Sequence, residues 1–237
     1  MEKAFGVDVS AYQEKIDWDV VAAHQPKVSF AGIRAAVSWG YQDAWFPRNW
    51  QEAKRVGILR MAYQVVFPSE DATRQVDNLM KMVGQDIGEL PPVLDCELDQ
   101  GQSPVHISNV ILSMAQLVEA RTGKRPILYS RALWVNQYMA GATWLGSYDW
   151  WLAQYLFTPD EHPGPPLLPT GVTKWLIHQT TSHGPPIGVS SQQMDYDRWN
   201  GSEADVLLYA GKTLQPQSLE QRLARLEVEA RAHGWNI

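Results

Sequence analysis

Short apolar runs alternate along this chain with stretches of helical periodicity. The apolar runs, several of which alternate with polar positions, predict eight β-strands. They cover residues 5–10, 28–36, 59–67, 91–98, 126–130, 150–155, 174–179 and 193–196. The clearest helical pattern covers 104–122, where Pro104 suits the first turn and apolar residues recur every three or four positions.

This alternation of strands and helices predicts an α/β fold with a parallel sheet. Eight strands in about 200 residues favour a closed, irregular TIM-like (β/α) barrel in which some helices are short or missing. An open, doubly wound sheet is the alternative. It is disfavoured because no glycine-rich phosphate loop follows the first strand.

The composition changes after Gly211, which divides the chain into a barrel domain, 1–211, and a C-terminal linker with an amphipathic helix, 212–237. Ser218 and Gln221 form a capping box, and leucines follow at spacings of three and four. A terminal helix that docks on its own barrel is favoured, because the segment is short for an independent coiled coil. A homo-oligomer formed through this helix is the alternative.

Composition narrows the classes of protein. The chain has 237 residues, 45% of them hydrophobic, which suits a large globular domain. Its net charge of −6 and the absence of a basic stripe in the sequence disfavour binding to nucleic acid or to an anionic membrane. The single cysteine excludes an intrachain disulfide.

The sequence also bears on location. No apolar run is long enough for a transmembrane helix, and the first residues lack the apolar core of a signal peptide. We therefore expect synthesis in the cytoplasm and, for a substrate outside the cell, release by a route of the phage or prophage type.

Two carboxylates lie at spacing two in the strand predicted over 91–98. Side chains at this spacing point to one face of a strand, so Asp95 and Glu97 face the same way. Two acids on a buried face are costly unless they are paired, solvated or used, and paired carboxylates are what hydrolysis of a sugar linkage needs. Since catalytic groups of barrels lie at the strand ends, Asp8 and Asp195 are expected to join them.

Other polar residues receive simpler interpretations. Asp197 is expected to form a turn, and Cys96 to be a small core residue facing the helices. The six histidines show no metal-ligand spacing, so neither a metal nor a cofactor is expected. The 11 tryptophans suit either a carbohydrate cleft or core packing.

An ordered set of motifs resembles glycoside hydrolase family 25, the Chalaropsis-type lysozymes. Residues 5–10, with Gln13 and 16–18, resemble the opening motif of that family, and 94–97 resembles its Asp-x-Glu motif. Residues 62–67, 151–155 and 194–197 resemble its Tyr-His-Phe segment and two later strands. The chain departs from the family pattern at Gln64, where His is usual, and at Asp197, where Asn is common.

The resemblance, which covers about residues 5–201, implies an irregular (β/α) barrel and 1,4-β-N-acetylmuramidase activity. Such an enzyme cuts bacterial peptidoglycan between N-acetylmuramic acid and N-acetylglucosamine. It implies that Glu97 is the proton donor and that Asp95 stabilises charge or orients the acetamido group of the substrate. Asp8 and Asp195 would complete the acidic cluster. The implied substrate-binding residues are Tyr63, Tyr129, Trp151 and Gln154.

Two other functions remain open from the residues alone. One is a non-catalytic glycan-binding or virion structural module built on the same barrel. The other is a hydrolase that holds a divalent cation in the acid cluster.

Overall fold

The computed structural model describes residues 3–155, 164–190 and 193–212. Its strands are β1 (Phe5–Val9), β2 (Val28–Val37), β3 (Tyr41–Gln42), β4 (Leu59–Val65), β5 (Val93–Asp95), β6 (Ile127–Ser130), β7 (Trp150–Ala153), β8 (Ile177–Gly184) and β9 (Met194–Trp199). Its α-helices are α1 (Trp18–Ala23), α2 (Phe46–Arg55), α3 (Ala72–Val83), α4 (Pro104–Thr122), α5 (Ala132–Tyr138) and α6 (Glu203–Tyr209). Two 3₁₀-helices cover Ala11–Gln13 and Leu145–Ser147.

Eight of these strands close into the predicted irregular TIM-like barrel. Their order is β1-β9-β8-β7-β6-β5-β4-β2, and pairing between β1 and β2 completes the ring. The short β3 pairs antiparallel with the last residues of β2 and is not one of the eight barrel strands. The fold class predicted from the alternation of elements is therefore confirmed.

The expectation that all strands are parallel is wrong for the last one. Strand β9 runs antiparallel to both β8 and β1. Only nine residues, 185–193, connect β8 to β9. A parallel neighbour requires a crossover of a dozen or more residues, whereas antiparallel strands accept a short connection. Strand β8 also extends to Gly184, five residues beyond the end of the strand predicted over 174–179.

Local signals account for the helix boundaries. Helix α4 begins after Ser103, whose side chain accepts a hydrogen bond from the backbone N–H of His106, and Pro104 takes the first helical position. Gly123 ends it in a left-handed conformation that glycine adopts without steric cost. None of the helices in 3–155, 164–190 and 193–212 is long and apolar enough to cross a membrane. The helix predicted after Ser218 lies outside the described residues.

The alternation of each strand sorts its side chains into two layers. Between barrel and helices lies the larger apolar layer, to which Val7 of β1 and Ile111 of α4 both belong. Cys96 is buried in this outer layer, as its position predicts. Inside the barrel, Phe30, Met61 and Trp151 belong to a smaller cluster that supports the mouth of the barrel from below. Polar residues of the strand ends lie above it.

Candidate active site

The four acids selected from the sequence lie in one cleft at the mouth of the barrel. Asp8 of β1 stands in register with Asp195 of β9. Asp95 is the last residue of β5, and Glu97 follows two positions later. All four line a cleft of about 440 Å³. Residues far apart in the sequence thus meet where parallel strands of a barrel end.

Asp95 and Glu97 form a hydrogen-bonded carboxyl pair of unequal exposure. Asp95 is 7% exposed, whereas the side chain of Glu97 is 35% exposed and reaches the cleft. Burial and the neighbouring charge of Glu97 raise the pKa of Asp95 well above its usual range. Burial also raises the pKa of Glu97, opposed by Arg131, whose Nε lies 4.0 Å from Oε2 of Glu97. The pair therefore retains a proton to higher pH than isolated carboxyl groups do.

A second acidic group faces this pair from β1 and β9. Burial, followed by the charges of Asp195 and Asp197, raises the pKa of Asp8 well above its usual range. Burial raises the pKa of Asp195 to about 6. The cleft thus concentrates negative charge, and its acids ionise less readily than exposed ones.

The interpretation of Asp197 as a turn residue is wrong. Its side chain is fully buried, and its Oδ1 accepts a hydrogen bond of 2.8 Å from Nε1 of Trp151. Strand β9 continues to Trp199, so Asp197 points to the same face as Asp195. The spacing of two that singled out Asp95 and Glu97 was present here as well, and it is the signal that could have identified Asp197.

Gln179 is a site residue that sequence analysis missed. Its Oε1 accepts hydrogen bonds of 2.8 Å from the hydroxyl groups of both Tyr129 and Tyr155. Its Nε2 donates a bond of 2.7 Å to Oδ2 of Asp8. The carboxamide is buried and links three walls of the barrel. In the sequence, the only sign of this role is that Gln179 is a polar residue within a strand that is otherwise largely apolar.

Three of the four residues expected to bind substrate line the cleft. Tyr63 and Tyr129 lie on its wall, and Trp151, which is 2% exposed, lies at its floor. Gln154 does not line it. Its Oε1 accepts a hydrogen bond from the backbone N–H of Leu167, beside an adjacent cavity of about 510 Å³. Strand β7 ends at Ala153, and the next residue to face the cleft is Tyr155.

Two arginines, also missed, bring positive charge to the acids. Arg34 lines the cleft and is held by Asp43, with its Nε 2.9 Å from Oδ2 of that buried carboxylate. The same oxygen accepts a bond from the backbone N–H of Ala11, which fixes the 3₁₀-helix at the rim. The charges of Arg34 and Arg131 both lower the pKa of Asp95. They limit the upward shift that burial produces.

The arrangement supplies a partly exposed acid with a raised pKa, a buried carboxyl partner and a polar cleft, which is the equipment for acid-catalysed cleavage of a glycosidic bond. Within 3–155, 164–190 and 193–212, no group of three or more His, Cys, Asp or Glu residues has an arrangement that could hold a metal ion.

Comparisons with known proteins agree with this chemistry. The family "Glycosyl hydrolases family 25" matches residues 7–189. The uncharacterized protein YegX of Escherichia coli strain K12 is 32% identical over 200 residues, which cover 83% of this chain and 70% of that protein. Lysozyme M1 of Streptomyces globisporus is 30% identical over 221 residues, covering 88% of this chain and 71% of the relative. The crystal structure of a bacterial lysozyme from Streptomyces coelicolor superposes with a TM-score of 0.79 at 28% identity, covering 89% of this chain and 98% of the other.

Proposed function

The chain belongs to glycosyl hydrolase family 25, and from this premise we propose that it is a 1,4-β-N-acetylmuramidase acting on bacterial peptidoglycan. The bond cleaved would be that between N-acetylmuramic acid and N-acetylglucosamine. The observation that carries the proposal is the convergence of Asp8, Asp95, Glu97 and Asp195 on one cleft. The likeness to a relative named Lysozyme M1 supports it, whereas the YegX relative carries no assigned activity.

Glu97 is the proton donor in this proposal. Its side chain is the more exposed of the carboxyl pair, and burial raises its pKa, so it keeps its proton to higher pH than an exposed glutamate does. Transfer of this proton to the glycosidic oxygen allows the bond from that oxygen to the anomeric carbon to break. The electron pair leaves with the oxygen, and positive charge develops on the sugar that keeps the anomeric carbon.

Asp95 supports the same step from below. Its Oδ1 is buried below the cleft and has no hydrogen-bond partner among the described residues. An oxygen in this position either stabilises the developing positive charge or accepts a hydrogen bond from the acetamido N–H of the substrate. The negative charge of Asp195 adds to the attraction for the cationic sugar. Tyr63 and Tyr129 would contact the sugar from the wall of the cleft.

Digestion of purified peptidoglycan tests the proposal. Mass spectrometry of the reduced products should show muropeptides that end in N-acetylmuramic acid. Ends in N-acetylglucosamine would assign a different bond. Binding of the insoluble peptidoglycan without released reducing ends would instead support a non-catalytic glycan-binding module. Loss of cleavage in EDTA, with recovery on adding a divalent cation, would favour a metal-dependent hydrolase.

A further inference from the structure

Gln179 joins the tyrosine wall of the cleft to its acidic wall. Its carboxamide oxygen accepts two tyrosine hydroxyl groups, and its carboxamide nitrogen donates to Oδ2 of Asp8. Asp8 in turn shares a hydrogen bond with Asp195. A continuous chain of hydrogen bonds thus runs from Tyr129 and Tyr155 through Gln179 and Asp8 to Asp195.

The chemistry of the amide fixes the direction of this chain. A carboxamide oxygen only accepts and its nitrogen only donates. The oxygen of Gln179 therefore takes the bonds from the two tyrosine hydroxyl groups, and its nitrogen makes the bond to Oδ2 of Asp8. Two consequences follow. Both tyrosines donate their hydroxyl protons to Gln179, so each hydroxyl oxygen acts toward its other neighbours only as an acceptor. That of Tyr155 already accepts from Ser182 and Arg131. Because Oδ2 of Asp8 accepts from Nε2, the proton shared with Asp195 is carried on Oδ1.

The backbone explains how Gln179 reaches this position. Ile177, two residues earlier on β8, belongs to the apolar cluster inside the barrel, so the alternation of the strand points Gln179 inward as well. The backbone oxygen of Gln179 also accepts a bond from the N–H of Gln154, which anchors the strand to the end of β7. Gln179 is 3% exposed and therefore makes these bonds without competition from bulk water.

We propose that Gln179 is a positioning residue, which orients Asp8 so that Asp8 donates to Asp195 and which presents Tyr129 to the substrate as a hydrogen-bond acceptor. The effect of Gln179 on catalysis rests on the proposed function, whereas its effect on the orientation of Asp8 does not. A donated bond from Asp8 stabilises the ionised form of Asp195. The ionised form is the one that attracts a cationic sugar.

Several other titratable groups act on Asp8 or Asp195 from the surrounding elements. They are Asp197 of β9, His183 of β8, Tyr63 of β4, Tyr129 of β6, Tyr155 after β7 and Glu97 after β5. Of these, only Tyr129 and Tyr155 bond to Gln179, and they belong to the hydrogen-bond chain, so a shift in the titration of Asp195 would report on the chain itself.

The test compares Gln179→Met and Gln179→Glu with the wild type by carbon-13 NMR titration of the aspartate carboxyl groups, assigned with Asp8→Asn and Asp195→Asn. Gln179→Met keeps the side-chain length and removes both functions of the amide. The pKa of Asp195 should rise from about 6 by about one pH unit, since a hydrogen bond to the charged form is lost. Gln179→Glu should raise it further, because a further carboxyl group enters the cluster.

Gln64→Met is the matched control. Gln64 is also a fully buried glutamine of a barrel strand, but its Nε2 donates to the backbone oxygen of Ser38, away from the cleft. This variant should leave the titration of Asp195 unchanged. An unchanged titration in both Gln179 variants, or an equal shift in Gln64→Met, would overturn the inference.

Activity provides the second arm of the experiment. The acidic limb of the pH dependence of kcat/KM on peptidoglycan should move upward together with the pKa of Asp195. If the wild type releases no reducing ends, the proposed function fails, and the NMR titration still decides the role of Gln179. If the wild type is active and the acidic limb stays in place while Asp195 shifts, the positioning role is wrong although the function stands.

Discussion

The indole nitrogen of Trp151 lies 2.8 Å from Oδ1 of Asp197 and donates a hydrogen bond to it inside the barrel. Asp197 is fully buried next to Asp8 and Asp195, so this bond partly offsets the cost of placing a carboxyl group there. It also fixes the position of the tryptophan ring, which makes an edge contact with Tyr129.

Trp151→Phe removes this donor, and we expect the free energy of unfolding to fall by about 1–3 kcal/mol, because a buried carboxyl oxygen loses its hydrogen-bond donor. Urea denaturation measures the loss. Trp150→Phe is the control, since Trp150 is equally buried on the same strand and donates to the neutral backbone oxygen of Leu145. Equal losses in the two variants would show that the bond to Asp197 stabilises the fold no more than the bond from Trp150 does.

Gly32→Ala tests how closely β2 approaches the site. A Cβ at this position would lie 2.8 Å from Cη2 of Trp151 and 3.0 Å from Cβ of Asp8, so at least one of them must move. We expect a loss of stability of about 1–3 kcal/mol and a larger loss of activity. Gly40→Ala, with no neighbour within 4 Å, should change neither quantity. Full activity in Gly32→Ala would show that the cleft tolerates displacement of these groups.

Asp195→Asn should increase stability at pH 7 while it lowers activity. The pKa of Asp195 is raised from 3.8 to about 6, so the folded state binds this proton more tightly than the unfolded state does. Its contribution to stability is therefore complete below pH 3.8 and is lost as the pH rises through 6. At pH 7 we expect the free energy of unfolding of the variant to exceed that of the wild type by at least about 1 kcal/mol. Between pH 4 and 7 the variant should also lose less stability than the wild type does. Denaturant titrations across this range measure both, and a variant with the wild-type slope would refute the linkage.

Arg131→Gln should move the alkaline limb of the activity profile upward. The charge of Arg131 lowers the pKa of Glu97, so its removal lets Glu97 keep the donated proton to higher pH. The shift should be less than about one pH unit, since Arg131 is more than half exposed and solvent screens the pair. Arg125→Gln, at another exposed arginine, should leave the profile in place. An alkaline limb that moves downward in Arg131→Gln would contradict the role of Glu97 as the acid.

Sequence patterns predicted the parts of this protein that depend on local order. The predicted helix over 104–122 is found as Pro104–Thr122, because a cap, a proline and an apolar stripe all specify it. The acids Asp95 and Glu97 could be identified because a spacing of two on a strand has one structural meaning. Closure of a barrel then places Asp8 beside Asp195.

The remaining features depend on contacts that no local pattern encodes. Alternation with Ile177 points Gln179 inward, but its bonding partners Asp8, Tyr129 and Tyr155 are brought to it only by closure of the barrel. Arg34 reaches the cleft because Asp43, nine residues away, holds its guanidinium group. The antiparallel direction of β9 follows from the length of one connection. Gln154 lies beside the adjacent cavity and not in the cleft because it follows the end of β7, where alternation no longer fixes direction.

The central claim, that Glu97 donates the proton, is tested most directly by the initial rate at which Glu97→Gln releases reducing ends from purified peptidoglycan. We expect this rate to fall by about 10²–10⁴-fold relative to the wild type, with an unchanged melting temperature. Asp99→Asn, two positions further and outside the cleft, should retain the wild-type rate. A folded Glu97→Gln protein that cleaves as fast as the wild type would contradict the account.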